Sequence, residues 1–198
     1  MTSGRKRAFD KQDALNEAMR VFWKKGYVGA SLADLTESMG INKPSMYSAF
    51  GNKEDLFIEA TRYYLEQHAR PHAEYLTEAG LNFKDRIRNY LMSVVAAQCD
   101  SAGPKGCYIS LCISEAAGEG IPDNARALID EAATYAISLL SDFLQQDSQA
   151  CAEKLDVVAV DKATYLVSIL HGTAALARSG KTLVELEPVV ETAMQCFE

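Results

Sequence analysis

From Gly40 to Lys53 the chain reads Gly-Ile-Asn-Lys-Pro-Ser-Met-Tyr-Ser-Ala-Phe-Gly-Asn-Lys. Its polar members carry the chemistry of groups that read a polyanion. Lys43 can donate to a phosphate or to the acceptor edge of a guanine, and Ser45 and Ser48 offer small hydroxyls. Tyr47 holds a hydroxyl on a rigid ring. Asn42 at a helix cap leaves backbone N–H groups aimed outward, and helix N-termini accept phosphate. Pro44 suits the first turn, where a missing N–H costs little. Lys53 begins the next helix and can hold a neighbouring phosphate. Arg5-Lys6-Arg7 reads as a flexible basic arm able to reach into a minor groove.

Other reactive residues are scattered. Cys99, Cys107, Cys112, Cys151 and Cys196 form no Cys-x-x-Cys pair, and an odd number without metal spacing points to reduced thiols. Cys107 follows Gly106 at a helix start, where the dipole and nearby Lys105 favour a thiolate. It reads either as a reactive thiol or as a small core residue packing against Leu91 or Val95. Cys112 is five residues on and does not share its face. His68 and His72 are four apart with Glu74 close, the spacing of half a metal site. Pro71 distorts that spacing and no second cluster follows. Solvated histidines are therefore expected, with no metal and no other cofactor. No GxGxxG, GxSxG, HExxH or P-loop pattern occurs, so no enzyme is expected.

These residues need a scaffold, and the apolar periodicity is helical nearly throughout. Leu15, Ala18, Met19 and Phe22 define one face of a helix over about 10–25, which Lys24-Lys25-Gly26 closes. Ser31 caps a second helix with Asp34 three residues later, ending near Met39-Gly40. Gly40 allows a sharp turn into a third helix, from Asn42 to Phe50, which Gly51-Asn52 breaks. Short helix, glycine turn, short helix is the helix-turn-helix arrangement. Residues 53–198 read as a larger helical body, with helices near 53–78, 83–99, 105–117, 123–147, 153–179 and 182–197. Pro71 should kink or end the first of these, and Pro188 moves the start of the last toward Glu187. The expectation is an all-α chain of about nine helices, with a helix-turn-helix head over 1–52 and a body over 53–198.

Composition agrees with that division. The chain has 198 residues, 48% hydrophobic and 24% charged, which is ordinary globular usage. Its net charge of −7 is unevenly spread. Residues 1–53 hold nine basic and five acidic groups, the remainder eleven and twenty-two, giving +4 and −11. A basic head on an acidic body suits a molecule whose head alone meets a polyanion. No apolar run approaches about 18 residues, and none follows the basic N-terminus. No membrane partner or secretory signal is expected, and the expected location is cytoplasmic.

Residues 9–57 resemble the DNA-binding domain of the tetracycline-repressor (TetR/AcrR) family. The resemblance rests on Phe9-Asp10, Ala14–Phe22, Lys25-Gly26-Tyr27, Ser31–Leu35, Met39–Phe50 and Asn52–Phe57, and is most specific from Gly40 to Phe57. It implies a homodimeric, ligand-responsive transcription factor, usually a repressor. It also implies a dimer bundle made by the last two helices and an effector pocket among the middle ones. The family's DNA contacts fall here on Ser31, Lys43, Ser45, Tyr47 and Ser48, with Lys53 on phosphate. Pro44 replaces a more usual small residue and removes one backbone donor, so base preference does not transfer. Gly106-Cys107 followed by Ser114-Glu115 is similar to a subgroup in which some members sense electrophiles or oxidants through that cysteine.

Helix position places the pocket walls at Met92, Val95, Cys107, Leu111, Tyr135, Leu139 and His171. The small residues of His171-Gly172-Thr173-Ala174-Ala175 let helices approach closely. The dimer interface is expected at Thr164, Val167, His171, Ala174, Ala175, Val190 and Met194. Nine tyrosines and five cysteines suggest a small apolar, aromatic or electrophilic effector. The expected partners are thus a double-stranded operator, this effector and a second copy of the chain. Two other classes compete. A helical adaptor would expose a large apolar patch and show no salt-steep DNA affinity, and an all-α enzyme would need no basic head.

Overall fold

The computed structural model describes residues 9–118 and 120–198, and every regular element among them is helical. The head comprises α1 (Lys11–Gly29), α2 (Leu32–Ser38) and α3 (Lys43–Phe50), and α4 (Lys53–Tyr64) leads out of it. The body holds α5 (Phe83–Cys99), α6 (Tyr108–Ala116), α7 (Asp123–Gln146), α8 (Ser148–Ala152), α9 (Ala159–Arg178) and α10 (Leu183–Met194).

Short-range capping sets the head. The Asp10 carboxylate accepts from the Gln12 and Asp13 amides at the start of α1. Ser31 with Asp34 and Asn52 with Asp55 form reciprocal capping boxes at α2 and α4. The Asn42 side chain caps α3 by accepting from the Ser45 amide at 2.9 Å. Gly26 takes a positive φ of 73°, so the straight part of α1 closes at Lys25 as its sequence indicates, and one further turn reaches Gly29.

Three stretches of the body differ from the periodic reading. The segment 53–78 is not one helix. It passes from α4 into a π turn at Leu65–Ala69 and a 3-10 stretch at Arg70–Thr77. Pro71 cannot donate to the preceding turn, and its ring pushes the chain out of α register. Pro188 does not delay α10 but lies inside it, because the Thr182–Glu185 capping box has already nucleated the helix. The polar run 145–149 contains the start of α8, since the Asp147 carboxylate caps it on the Gln149 and Ala150 amides. That short helix brings the α-helices among the described residues to ten rather than about nine.

Two apolar cores hold the chain, and they do not divide at residue 52. The first joins Phe22, Leu35, Met46 and Phe57 of α1–α4 to Tyr108 and Cys112 of α6 and to Ile129 of α7. The second joins Ile87 and Leu91 of α5, Leu140 and Leu144 of α7, Leu166 of α9 and Val190 of α10. The long helix α7 belongs to both. The Thr61 and Tyr108 hydroxyls, 2.8 Å apart and fully buried, fasten α4 to α6 inside the first core.

Candidate DNA-reading surface and ligand cavity

The inner side of α3 buries Met46 and Phe50 on the head's core. That fixes the helix rotation and turns Lys43, Pro44, Tyr47 and Ser48 outward, all exposed, with Ser45 half-buried. Tyr47 keeps 46% of its surface accessible, high for an aromatic ring and sufficient to touch a partner. Asn42 is exposed, but its side chain is committed to the Ser45 amide and Pro44 has no N–H. The first turn therefore offers a phosphate the Asn42 and Lys43 amides and the Lys43 ammonium. Ser31 is exposed at the start of α2, though its hydroxyl already donates to Asp34 at 2.7 Å. Asp34 also pairs with Lys25 at 2.5 Å, and these bonds hold its carboxyl well below the usual range. Lys53 is half-buried and its ammonium sits 4.4 Å from the centre of the Tyr27 ring. Desolvation draws its pKa down, against the pull of Glu115. Arg5, Lys6 and Arg7 lie outside the described residues.

The head is latched to the body by backbone and side-chain bonds. Where α1 breaks at Gly26, the Glu115 carboxylate of α6 accepts from the Tyr27 amide at 2.7 Å and from the Val28 amide at 3.3 Å. A Cβ at Gly26 would run into that carboxylate, so glycine serves both the turn and the docking. Arg178, at the end of α9, donates to the Trp23 carbonyl at 3.2 Å and to the Cys107 carbonyl at 3.4 Å. Arg20 donates to the Ala102 carbonyl at 2.7 Å.

Between these latches lies a cavity of about 230 Å³. Met19, Arg20 and Trp23 of α1 form one wall, and residues of α4, the π turn, α5, α6, α7 and α9 form the others. Of the seven pocket residues expected from sequence, Cys107, Tyr135 and His171 line it. Met92, Val95, Leu111 and Leu139 do not. Val95 is fully buried in the second core, and Met92 and Leu139 pack against that core. The cavity instead takes their neighbours Val94 and Ser110, and also Tyr64, His68, Tyr90 and Gln98. Sequence reasoning passed over Trp23, the chain's single tryptophan, which stands four residues after Met19 on one side of α1.

His68 and His72 are only partly open to solvent. Both are half-buried in the cavity wall. His68 stacks on Tyr64 with centroids 5.4 Å apart, and the His72 Nδ1 is 2.9 Å from the Ser93 hydroxyl. Burial lowers the pKa of His68, His72 and His171, with Arg20 adding to the effect on His68 and His68 to that on His72. The Cys107 Sγ is half-buried, 3.6 Å from the Tyr64 hydroxyl, at the N-cap of α6. Gly106 before it needs its positive φ of 83°, and a Cβ there would sit 2.8 Å from the Ala174 carbonyl oxygen. That close approach seats the start of α6 on α9.

Among the expected interface residues, Thr164 and Ala175 are exposed and Met194 is half-buried. Val167, Ala174 and Val190 are buried within the chain, and Val167 and His171 face the cavity. The open side of α9 instead carries Thr164, Ser168, Gly172 and Ala175, beside exposed Tyr165 and Leu176. No helix among the described residues is long and apolar enough to cross a membrane.

Residues 14–60 match the family described as bacterial regulatory proteins, tetR family. The transcriptional repressor ComR of Escherichia coli (strain K12) is 29% identical over 196 residues, covering 98% of this chain and 91% of ComR. The repressor NemR of the same organism is 26% identical over 166 residues, covering 81% of each. A solved structure of a cysteine-substituted CifR, a TetR family transcriptional regulator complexed with 26-base-pair operator DNA, superposes with a TM-score of 0.87. It is 34% identical and covers 97% of this chain and 98% of that one. With the head matched in sequence and nearly the whole chain matched in sequence and structure, this chain belongs to the TetR family of bacterial regulatory proteins.

Proposed function

We propose that the chain is a homodimeric repressor that reads a pseudo-palindromic operator through α3 and releases it when a small molecule fills the cavity beneath α1. The observation that carries this reading is the outward row on α3 of Lys43, Pro44, Tyr47 and Ser48, held by Met46 and Phe50 on a packed head. The names of ComR and NemR as repressors and the operator complex of CifR support it. Lys43, the first-turn amides, Lys53 and the Arg5-Lys6-Arg7 arm supply salt-dependent affinity, and Ser45, Tyr47 and Ser48 supply base readout. Ser31 contributes from α2. The protein works beside the chromosome in the cytoplasm and does no chemistry on its ligand. A ligand in the cavity acts through its different affinity for two placements of the head relative to the body. The dimer forms through the open sides of α9 and α10, where exposed Tyr165, Leu176 and Val184 flank the small-residue face. The test is to select genomic fragments with the purified protein and sequence those retained. Enrichment of a pseudo-palindrome is expected, and no enrichment would move a protein-binding adaptor ahead.

One observation favours a second reading of the trigger. The Cys107 thiol lies in the cavity wall at a helix start. A thiolate there can add to an electrophilic alkene: an S–C bond forms, the C=C π bond opens, and the adjacent carbon takes a proton. Under this reading Cys107→Ser binds operator as before but is no longer released by such electrophiles. A variant that still responds removes the thiol from the trigger.

A further inference from the structure

The start of α4 offers a phosphate little besides Lys53. The Asn52 amide donates to the Asp55 carboxylate at 3.0 Å, and the Asn52 side chain accepts from the Glu54 and Asp55 amides at 2.8 and 3.0 Å. Those N–H groups are committed, so a phosphate arriving there depends on the Lys53 ammonium. A lysine has a long, flexible stem and loses rotamer freedom when one partner holds it. Glu54 and Asp55 follow Lys53 in the chain and Glu115 pulls on its charge, yet it forms no ion pair among the described residues.

Its ammonium lies instead over the Tyr27 ring, 4.4 Å from the centre, within the range of a cation–π contact. That ring is fixed from three directions. It stacks beside Phe22 with centroids 6.3 Å apart and meets Phe57 at 4.9 Å, and its backbone amide donates to the Glu115 carboxylate at 2.7 Å. Burial and the Glu54 charge push the Tyr27 phenol up, so the ring is neutral at ordinary pH and leaves the lysine its full charge. A ring on one side of an ammonium leaves N–H donors on the other for an oxygen.

We propose that Tyr27 is a positioning residue for operator binding, its ring holding the Lys53 ammonium in place for the operator backbone before the two meet. The proposal rests on the reading of Lys53 as a phosphate contact and names what holds it. A stem already held in the free protein has less freedom to lose in the complex, so the ring strengthens the contact without itself bonding the phosphate.

Anisotropy titrations of a fluorescent random-sequence duplex at several salt concentrations test this, because backbone contacts do not depend on sequence. Lys53→Ala should weaken binding about tenfold and reduce the salt slope by about one. Tyr27→Leu should weaken binding about threefold and also lower the slope, and it should add nothing in a protein that already carries Lys53→Ala. Tyr27→Phe keeps the ring and should match the wild type. A role in packing alone would give the same loss with or without Lys53. A second readout needs no change at Tyr27, should Tyr27→Leu fail to fold. In the wild type, the Lys53 Cε proton resonance should be displaced upfield by the ring and stay displaced when the duplex is added. Unchanged or tighter binding by folded Tyr27→Leu, equal losses in the two backgrounds, or a Lys53 resonance that loses its displacement on adding DNA overturns the proposal. An unchanged salt slope in Lys53→Ala sinks the phosphate reading first, and the proposal with it.

Discussion

Tyr47 shows how one residue's role follows from its neighbours. It lies one position from buried Met46 on a two-turn helix, so packing Met46 inward turns the phenol outward. If that hydroxyl reads a base, Tyr47→Ala weakens operator binding by about 1–3 kcal/mol and binding to random DNA by less. Fluorescence anisotropy on both DNAs checks this, and equal losses would reduce Tyr47 to a backbone contact. The histidines make a second residue-scale prediction. Burial puts the folded pKa of His68, His72 and His171 below the ordinary value of 6.5. As pH falls below about 6.5 the unfolded chain takes up protons that the folded chain refuses, so stability drops on acidification. Asp34 and Glu185 are depressed carboxylates, and their contributions fade only below about pH 4, a separate window. Urea midpoints should fall between pH 7.5 and 5.5, and His72→Asn should lessen that fall. Equal midpoints at the two pH values would contradict the burial of these rings.

At the scale of elements, α6 joins the head to the body. It lies against α1 and α7, its Tyr108 meets Thr61 of α4, and its Glu115 holds the end of α1. Its start is seated by Gly106 against the Ala174 carbonyl. Gly106→Ala combines a positive φ with a steric conflict and should cost about 1–3 kcal/mol in unfolding free energy. The same change should alter ligand affinity, because Cys107, Ile109 and Ser110 leave that turn into the cavity wall. Denaturation and a probe titration on one preparation test both, and wild-type stability would show that the turn can adjust. The π turn and 3-10 stretch after α4 have a comparable role, since they place His68 and His72 in the wall where a regular helix would set them differently.

For the whole molecule, the proposed repressor requires that a dimer hold two heads at a fixed spacing. A dimer built on the open face of α9 brings small residues together, and Gly172 lies at its centre with nothing within 4 Å of where its Cβ would be. Gly172→Arg should therefore leave the monomer folded while blocking close approach of a second helix. Sedimentation should show a dimer for the wild type and a monomer for the variant, with operator affinity reduced by at least tenfold because two half-sites are no longer bound together. A dimeric Gly172→Arg would move the interface elsewhere.

The head was legible from local sequence alone. Asn42, Gly40, Ser31 with Asp34, and Asn52 with Asp55 act on neighbours within a few residues, so their effect can be read without knowing the rest of the fold. The all-helical body was legible for the same reason. Pro188 inside α10 and the capped α8 show that a local competition between two signals is harder to read than either alone. The cavity, by contrast, is a product of long-range packing. Its walls come from helices far apart in the chain, and each residue turns a helix by about 100°. Val94 in place of Val95 and Ser110 in place of Leu111 are errors of one residue in rotation, which periodicity cannot resolve on a helix buried on more than one side. Trp23 faces the same difficulty. Its place in α1 follows from sequence, but its contact with Tyr64 and His68 exists only because α4, which leads into the π turn, packs against α1.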